Sequence, residues 1–232
     1  MITCLENSFN KLGELCSIYR IEPLEIGDAI TLGNAIRRIL LAKICSLGIN
    51  HLKFYGFKHE YINLSFLHED TLELISNLKK VVFKKLNPST KPYYKASINN
   101  IGPKIITANS IYFLNDQEIK IINPSQYLCT INQNLRLYLD IYINESYGYK
   151  NLKNFYNFSY NKKLHSFIQL DTLYNPIKRV NYKVCLIHDK KGFLKESLIL
   201  EILTNGAISP STSLRKALQI LLQTIFPLIY TI

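Results

Sequence analysis

The chain has 232 residues, of which 47% are apolar, and 28 Lys and Arg against 17 Asp and Glu give a net charge of +11. This composition excludes an intrinsically disordered chain and predicts one or two globular domains with a substantial core. The basic balance suits a polyanion or an acidic protein surface as partner. An AT-rich coding sequence would produce the same bias towards Ile, Asn, Lys and Tyr without selection on the protein.

Several kinds of site and location are disfavoured by residue spacing. Five cysteines are odd in number and far apart, which predicts reduced thiols in a reducing compartment. No CxxC pair occurs and the five histidines lack zinc spacing, so we expect no metal site. Residues 1–15 contain acids and lack the pattern of a transit peptide, and the absence of a run of about 18 apolar residues predicts no membrane span.

The first elements in the chain are a strand at residues 14–22 and a helix after it. Gly27 permits a turn between them, and Asp28 or Thr31 can cap the helix. Gly33 in the first helical turn costs about 1 kcal/mol relative to alanine. We therefore expect another backbone to approach the helix closely at this glycine.

The stretch Thr31–Ile44 has the three-and-four spacing of an amphipathic helix. Asn34, Arg37, Arg38 and Leu41 lie on the side away from its apolar stripe, so a second surface presents two guanidinium groups around a leucine. Either Leu41 is a stray exposed leucine, which is common, or the helix is contacted on two sides. The stripe itself consists of Leu32, Ala35, Ile36, Ile39, Leu40 and Ile44.

A second helix is predicted at Thr71–Lys79, after a half-buried strand at residues 50–57. Glu69, Asp70 and Glu73 place acids at the start of this helix, where they are favourable. His68 stands beside two of them, but no nucleophile or glycine loop accompanies the group. We therefore interpret these acids as a helix start and not as a catalytic cluster.

Residues 80–161 contain short apolar or alternating runs broken by prolines and glycines, which predicts a small antiparallel β unit. Residues 149–163 interleave lysines with aromatic rings, a mixture that can stack bases and neutralise phosphates. A tolerant surface loop explains the segment as well, and we favour that interpretation. Further strands are predicted at 164–171, 178–185 and 198–204, before a tight turn at Asn205-Gly206.

The last predicted element is a helix that starts at Ser209-Pro210 and ends at Pro227. Its apolar stripe consists of Leu214, Ala217, Leu218, Leu221, Leu222 and Ile225. Two one-sided helices, far apart in sequence, would cover a common sheet and still leave apolar edges. A second copy of the chain would cover those edges, and twofold dimers are the commonest arrangement.

Several motifs resemble those of one protein family. The stretch Glu22-Pro-Leu-Glu25, followed by Thr31-Leu-Gly-Asn-Ala-Ile-Arg-Arg-Ile-Leu-Leu41, is similar to the PLE turn and TLGNALRRILL helix of the alpha subunit of bacterial-type RNA polymerase. Further matches occur in the family's order over about residues 17–228. They lie at 56–61, 69–79, 101–103 with 107–108, 171–180 and 204–206.

The resemblance implies an α+β fold with a discontinuous dimerisation domain, residues 1–47 and 171–232, whose two amphipathic helices lie on a mostly antiparallel sheet. A β-rich domain, residues 48–170, is inserted between the two parts. The implied function is assembly: a homodimer recruits the beta and beta-prime subunits, which hold the nucleotide-adding site and its magnesium. We therefore expect no catalytic residue, cofactor or metal on this chain.

The family also implies contact residues at matching positions. The expected beta-subunit contacts are Arg38, Leu41, Glu69, Asp70, Glu73 and Lys79. The expected dimer interface consists of Leu32, Ala35, Ile36, Ile39, Leu214, Leu218, Leu221, Leu222 and Ile225. The expected beta-prime contacts are Leu170, Asp171 and Arg179.

The sequence departs from the family in three places, one of which is Ser211-Thr-Ser213 in the helix after Gly206, where acids are usual. Gly27-Asp-Ala-Ile30 stands where a glycine-rich turn is usual, and the sequence stops before the C-terminal DNA-binding domain of bacterial alpha subunits. We therefore expect that domain to be absent, contact with DNA to be indirect or weak, and the location to be the plastid stroma, with the bacterial cytoplasm as the alternative. The alternative function is a basic RNA-binding or ribosomal-type protein, based on the charge and on residues 149–163.

Overall fold

The computed structural model describes residues 1–9, 13–55, 64–87, 93–113, 118–150, 167–189 and 192–230. The helices in these ranges are α1 (Asp28–Lys43), α2 (Thr71–Lys79) and α3 (Pro210–Tyr230), with a 3-10 turn at Ala108–Ser110. The strands are β1 (Ile2–Phe9), β2 (Leu15–Leu24), β3 (Cys45–Phe54), β4 (Phe83–Lys85), β5 (Tyr94–Ile101), β6 (Lys104–Thr107), β7 (Ile111–Phe113), β8 (Ile119–Ile121), β9 (Tyr127–Ile131), β10 (Arg136–Tyr147), β11 (Tyr149–Lys150), β12 (Ile168–Gln169), β13 (Thr172–Leu173), β14 (Ile177–His188) and β15 (Leu194–Thr204).

The chain divides into two compact units. The first consists of Met1–Cys45 and Asn175–Ile232, and the second of Ser46–Tyr174. The chain therefore passes between units at 45/46 and 174/175, where the sequence analysis placed the joins near 47 and 170. The α+β class is confirmed, since three helices accompany antiparallel sheets in the described ranges.

The first unit contains an antiparallel sheet in the order β1-β2-β15-β14 with α1 and α3 packed on one face. Alternation along β15 selects that face, because Leu198, Leu200 and Ile202 are fully buried while Ile199 and Leu203 are half-buried. These aliphatic residues pack with Ile36 and Leu40 of α1 and with Leu214 and Ala217 of α3. The apolar stripes of both helices therefore build the core of this unit.

Strand β1 was not predicted. Every residue of Ile2–Phe9 is exposed and the strand pairs only with β2 at the edge of the sheet. An edge strand without a buried face leaves no alternation of apolar and polar residues in the sequence. Its position is set by backbone pairing, which periodicity does not report.

The start of α1 differs from the prediction. The N-cap is Gly27, at φ 94°, and neither Asp28 nor Thr31 caps the helix. The backbone N–H of Ala29 instead donates to Oε2 of Glu196 at 3.1 Å, and Glu196 is buried. A carboxylate from a distant strand thus satisfies a free N–H at the positive end of the helix.

The last helix begins as predicted but ends later. The backbone N–H of Thr212 donates to Oγ of Ser209 at 3.3 Å, which confirms Ser209 as the cap. The helix continues through Pro227 to Tyr230, so the predicted end at Pro227 is wrong. Proline keeps a helical φ and removes one backbone N–H, and α3 accommodates that loss within its last turns.

Among its described residues, the second unit contains a five-stranded sheet in the order β12-β3-β10-β5-β7 and three two-stranded sheets. Leu137, Leu139, Ile141 and Ile143 of β10 lie in the core with α2, and Tyr138 and Tyr142 alternate with them on the opposite face. One face of this sheet is therefore the wall of the core. The other face carries mostly polar and aromatic side chains, most of them half-buried or exposed.

Candidate subunit interaction surfaces

The outer side of α1 carries an exposed arginine, Arg38, and a leucine, Leu41, that packs on the core of the first unit. The Arg38 side chain is exposed and makes no ion pair or side-chain hydrogen bond within the described part of the chain. Leu41 is half-buried and packs against the core of the first unit, while its carbonyl accepts a hydrogen bond from Nδ2 of Asn175 at 3.0 Å. This surface can donate a planar set of hydrogen bonds beside an apolar contact.

Tyr182 of β14 fixes α1 over the sheet. A Cβ atom added at Gly33 would lie 2.8 Å from Cδ2 of the Tyr182 ring. The Tyr182 hydroxyl donates to Oδ1 of Asn34 at 2.8 Å. Gly33, which lies in the second turn of α1, therefore admits an aromatic ring, and the expected close approach of another backbone is corrected.

Gly33→Ala should destabilise the protein although alanine normally stabilises a helix by about 1 kcal/mol. The added methyl group would meet the ring of Tyr182, and overpacking of this kind costs about 1–3 kcal/mol. In a Tyr182→Ala background the same substitution should become stabilising. Urea denaturation of the four proteins in this double-mutant cycle measures the change of sign, and an equal effect of Gly33→Ala in both backgrounds would contradict it.

The acids at the start of α2 are not equivalent. Asp70 and Glu73 are exposed, as a contact surface requires. Glu69 is buried at 7% exposure, and its Oε2 accepts the backbone N–H of Thr130 at 2.8 Å. The Tyr127 hydroxyl also donates to Glu69. The assignment of Glu69 to a surface contact is therefore corrected, because its carboxylate is used inside the second unit.

The environment of Glu69 also suppresses ionisation of nearby groups. Burial, and then the charge of Glu69, raise the pKa of the Cys129 thiol to about 12. Burial, and then the hydrogen bond to Glu69, raise the pKa of the Tyr127 hydroxyl. Cys129 therefore stays protonated near neutral pH, as a structural residue and not a nucleophile.

Two residues expected to contact different partners are paired with each other. Lys79 forms an ion pair with Asp171, and the Tyr149 hydroxyl donates to the second oxygen of Asp171 at 3.3 Å. The hydrogen bond from Lys79 is the main cause that lowers the pKa of Asp171. Leu170, expected at the beta-prime contact, is 3% exposed and packs in the core, so its assignment to a surface is corrected.

Arg179 lies on the uncovered face of the sheet in the first unit. Its guanidinium pairs with Oε1 of Glu201 at 2.6 Å, and Nδ2 of Asn181 donates to Oε2 of Glu201 at 3.1 Å. The bonds from Asn181 and Arg179 lower the pKa of Glu201, so this carboxylate remains ionised. Arg179 is thus exposed but already oriented by a neighbouring strand.

The residues expected at the dimer interface fall into three groups. Ile36, Ile39 and Leu214 are buried in the core of their own unit, so their assignment to an interface is corrected. The half-buried residues at the margin of that core are Leu32, Ala35, Leu218 and Leu221. Only Leu222 and Ile225, at 64% and 48% exposure, are open to a partner.

The exposed stripe on α3 is longer than predicted. Phe226 and Ile229 are 51% and 65% exposed and continue the three-and-four spacing of Leu222 and Ile225. We call these four residues the α3 stripe. Periodicity could have found both: Phe226 lies within the predicted helix, and Ile229 is missing from the predicted stripe because the predicted helix ends at Pro227. An exposed apolar stripe of this size indicates an association surface.

The described residues contain no group of three or more His, Cys, Asp and Glu side chains placed to hold a metal ion. All five cysteines are free thiols. In the described part of the chain, no helix is long and apolar enough to cross a membrane. The motif at 56–61 and most of the lysine and tyrosine segment, 151–163, lie outside the described residues.

The second unit has a recognisable class. Residues 49–175 match the family model described as the RNA polymerase Rpb3/RpoA insert domain. The chain is thus an RNA polymerase subunit of the class that carries this insert domain. In the sequence, the domain lies between the two segments of the first unit.

Relatives along almost the whole chain define the family further. The chain is 36% identical over 227 residues to the DNA-directed RNA polymerase subunit alpha of Cyanidium caldarium, covering 98% of this chain and 70% of the relative. The corresponding subunit of Rhodomonas salina is 33% identical, with 98% and 69% covered. That of a Synechocystis strain is 31% identical, with 98% and 70% covered. The chain belongs to the alpha-subunit family of DNA-directed RNA polymerase, and the resemblance found in its motifs is confirmed.

Proposed function

We propose that this alpha subunit forms a homodimer and that the dimer scaffolds the beta and beta-prime subunits of the polymerase. The observation that carries this proposal is the α3 stripe, whose four large apolar residues are about half to two-thirds exposed and follow one another along one side of a helix. Burial of apolar area is the main favourable term in association. A second copy presents the same stripe, as a twofold interface requires.

The proposed beta contact uses the outer side of α1 and the start of α2. Arg38 has no partner within the described residues and stands beside Leu41, which the fold already holds in place. Asp70 and Glu73 are exposed at the start of α2. On the beta-prime side, Asp171 and Arg179 retain exposure while Lys79 and Glu201 orient them. These polar groups suit specificity, and the apolar groups beside them suit affinity.

We also propose that this chain is a non-catalytic subunit, with the polymerase magnesium held by its partners. The acids that the sequence clusters at the start of α2 support this, because Glu69 is used as an internal acceptor and Asp70 and Glu73 are exposed acids at the helix start. Contact with DNA is then indirect or weak. For location we propose the plastid stroma, which the relatives in Cyanidium caldarium and Rhodomonas salina support, with the bacterial cytoplasm as the alternative.

Stepwise reconstitution tests the proposal. The purified chain should elute at twice its 26.9 kDa mass, bind one beta subunit per dimer, and take up beta-prime only after beta. Light scattering after size exclusion gives each mass. A chain that stays monomeric, or a dimer that retains neither large subunit, would contradict the scaffold function, and RNA retained in their place would favour the basic RNA-binding alternative.

A further inference from the structure

The face of the five-stranded sheet opposite the core of the second unit is an aromatic and basic surface. The strand register places its side chains in rows, because directly opposed residues share a face. Tyr138 opposes Asn99, Asp140 opposes Ser97, and Tyr142 opposes Lys95. Tyr112 of the edge strand β7 opposes Ser97 on its other side. The rows therefore run from β10 across β5 to β7.

Side-chain contacts extend this surface to the other edge of the sheet. The Tyr55 ring lies 4.4 Å from the Tyr138 ring, and Phe167, just before β12, lies 5.3 Å from the Tyr142 ring. Nζ of Lys53 lies 4.9 Å from the Tyr55 ring and 5.4 Å from the Phe167 ring. A cation thus stands between two aromatic rings, which holds it in place while leaving its charge available.

The one carboxylate within these rows is buried and neutralised. Asp140 is 1% exposed and pairs with Nζ of Lys95 at 2.8 Å. The Tyr55 hydroxyl donates to its Oδ2 at 3.1 Å. The other acid of the five strands, Glu145, pairs with Lys85 at 2.6 Å. The Lys95–Asp140 pair has no net charge, so what the surface presents outward is aromatic rings and the positive charges of Lys53 and Arg136.

We propose that this aromatic and basic surface binds single-stranded nucleic acid, with bases stacked on its tyrosines and phosphates near Lys53 and Arg136. Exposed rings on an antiparallel sheet offer flat faces to unstacked bases, and such stacking tolerates any base sequence. A duplex keeps its base faces covered and cannot use them. Protein interfaces are depleted in lysine, and the one aliphatic side chain in these rows is Ile101, opposite Arg136 at the end of β5. Charge and chemistry therefore favour a nucleic acid as the occupant.

The exposed ring and the cation serve different steps of this binding. Tyr112 is 59% exposed at the edge of the surface, so its ring is free to stack. Lys53 contributes charge, and each phosphate neutralised on a single strand adds about 0.7 to the salt slope of the affinity. The two residues can therefore be tested by separate measurements.

The proposal can be tested by fluorescence anisotropy. Labelled single strands, dT15 and U15, are titrated with the full chain in its native oligomeric state. Both strands should bind at low salt more tightly than a duplex of equal length. Tyr112→Ala should weaken binding about fivefold or more, and Tyr112→Phe should retain it. Lys53→Ala should reduce the slope of log affinity against log salt by about 0.7.

Matched controls on other surfaces make the test specific. Phe193→Ala removes a 64% exposed ring from the first unit, and Lys84→Ala removes an exposed lysine of β4. Phe193→Ala should not weaken binding as Tyr112→Ala does, and Lys84→Ala should not reduce the salt slope as Lys53→Ala does. Equal losses in both members of a pair, equal affinity for duplex, or no binding at low salt would overturn the proposal. So would a purified beta or beta-prime subunit that binds this surface in place of the strands and is released by Tyr112→Ala.

Discussion

The proposed homodimer should separate into folded monomers when Leu222 and Ile225 are both replaced by glutamate. In a free protomer these positions are 64% and 48% exposed, so water solvates the new carboxylates and the fold is retained. In the dimer the α3 stripe would be desolvated. An unpaired carboxylate buried in this way costs on the order of several kcal/mol. Size exclusion with light scattering should show the monomer mass, and circular dichroism should show unchanged secondary structure.

Thr224→Glu is the matched control for this experiment. Thr224 is exposed on the same helix, and its position is offset from Leu222 by about 200° around the axis. A carboxylate placed there should leave the dimer intact. A double variant of Leu222 and Ile225 that remains dimeric with an unchanged melting temperature would show that the α3 stripe is not the interface.

Sequence patterns predicted the bounds of a helix well where interactions between neighbouring residues determine those bounds. The bounds of α2 match the prediction of Thr71–Lys79, since acids precede it and its apolar residues keep a helical spacing. The predicted cap of α1 was wrong because the acceptor at the start of this helix, Glu196, is 167 residues away from Ala29. A cap supplied through the tertiary fold leaves no signal beside the helix.

Periodicity identified apolar stripes but could not divide them between core and interface. Leu214 and Leu222 belong to one continuous stripe of α3, yet the first is 4% and the second 64% exposed. The difference depends on how far the sheet extends beneath the helix. Likewise Glu69 and Glu73 both stand at the start of α2, and only the position of Thr130 makes the first of them internal. Such assignments require the packed structure.

The aromatic and basic surface was hidden from sequence analysis for a related reason. Tyr112 and Tyr138 come from two strands and Tyr55 directly follows a third, and each is one ring in an ordinary alternating pattern. The strand order brings them onto one face. The sequence instead drew attention to 149–163, where lysines and rings are neighbours along the chain.

Arg38→Ala should leave a folded dimer that binds the beta subunit about thirtyfold more weakly or worse. Removing a central desolvated arginine from an interface typically costs about 2 kcal/mol or more, which corresponds to that loss. The fold should not change, because the Arg38 side chain is exposed and has no partner within the described residues. Arg38→Lys should restore only part of the affinity, since lysine lacks the planar set of donors. Titration of the dimer with labelled beta measures each affinity.

Two further variants separate a specific contact from general charge on α1. Arg37→Ala removes the same charge from the adjacent position, which lies nearer the buried stripe, and it should leave recruitment of beta close to that of the unmodified chain. Leu41→Ala should weaken recruitment more mildly than Arg38→Ala while also lowering the melting temperature, because Leu41 packs on the core of the first unit. If Arg37→Ala and Arg38→Ala lowered the affinity for beta equally, the loss would reflect the net charge of α1 and not a specific contact of Arg38. Normal recruitment by Arg38→Ala would mean that the outer side of α1 is only solvated surface.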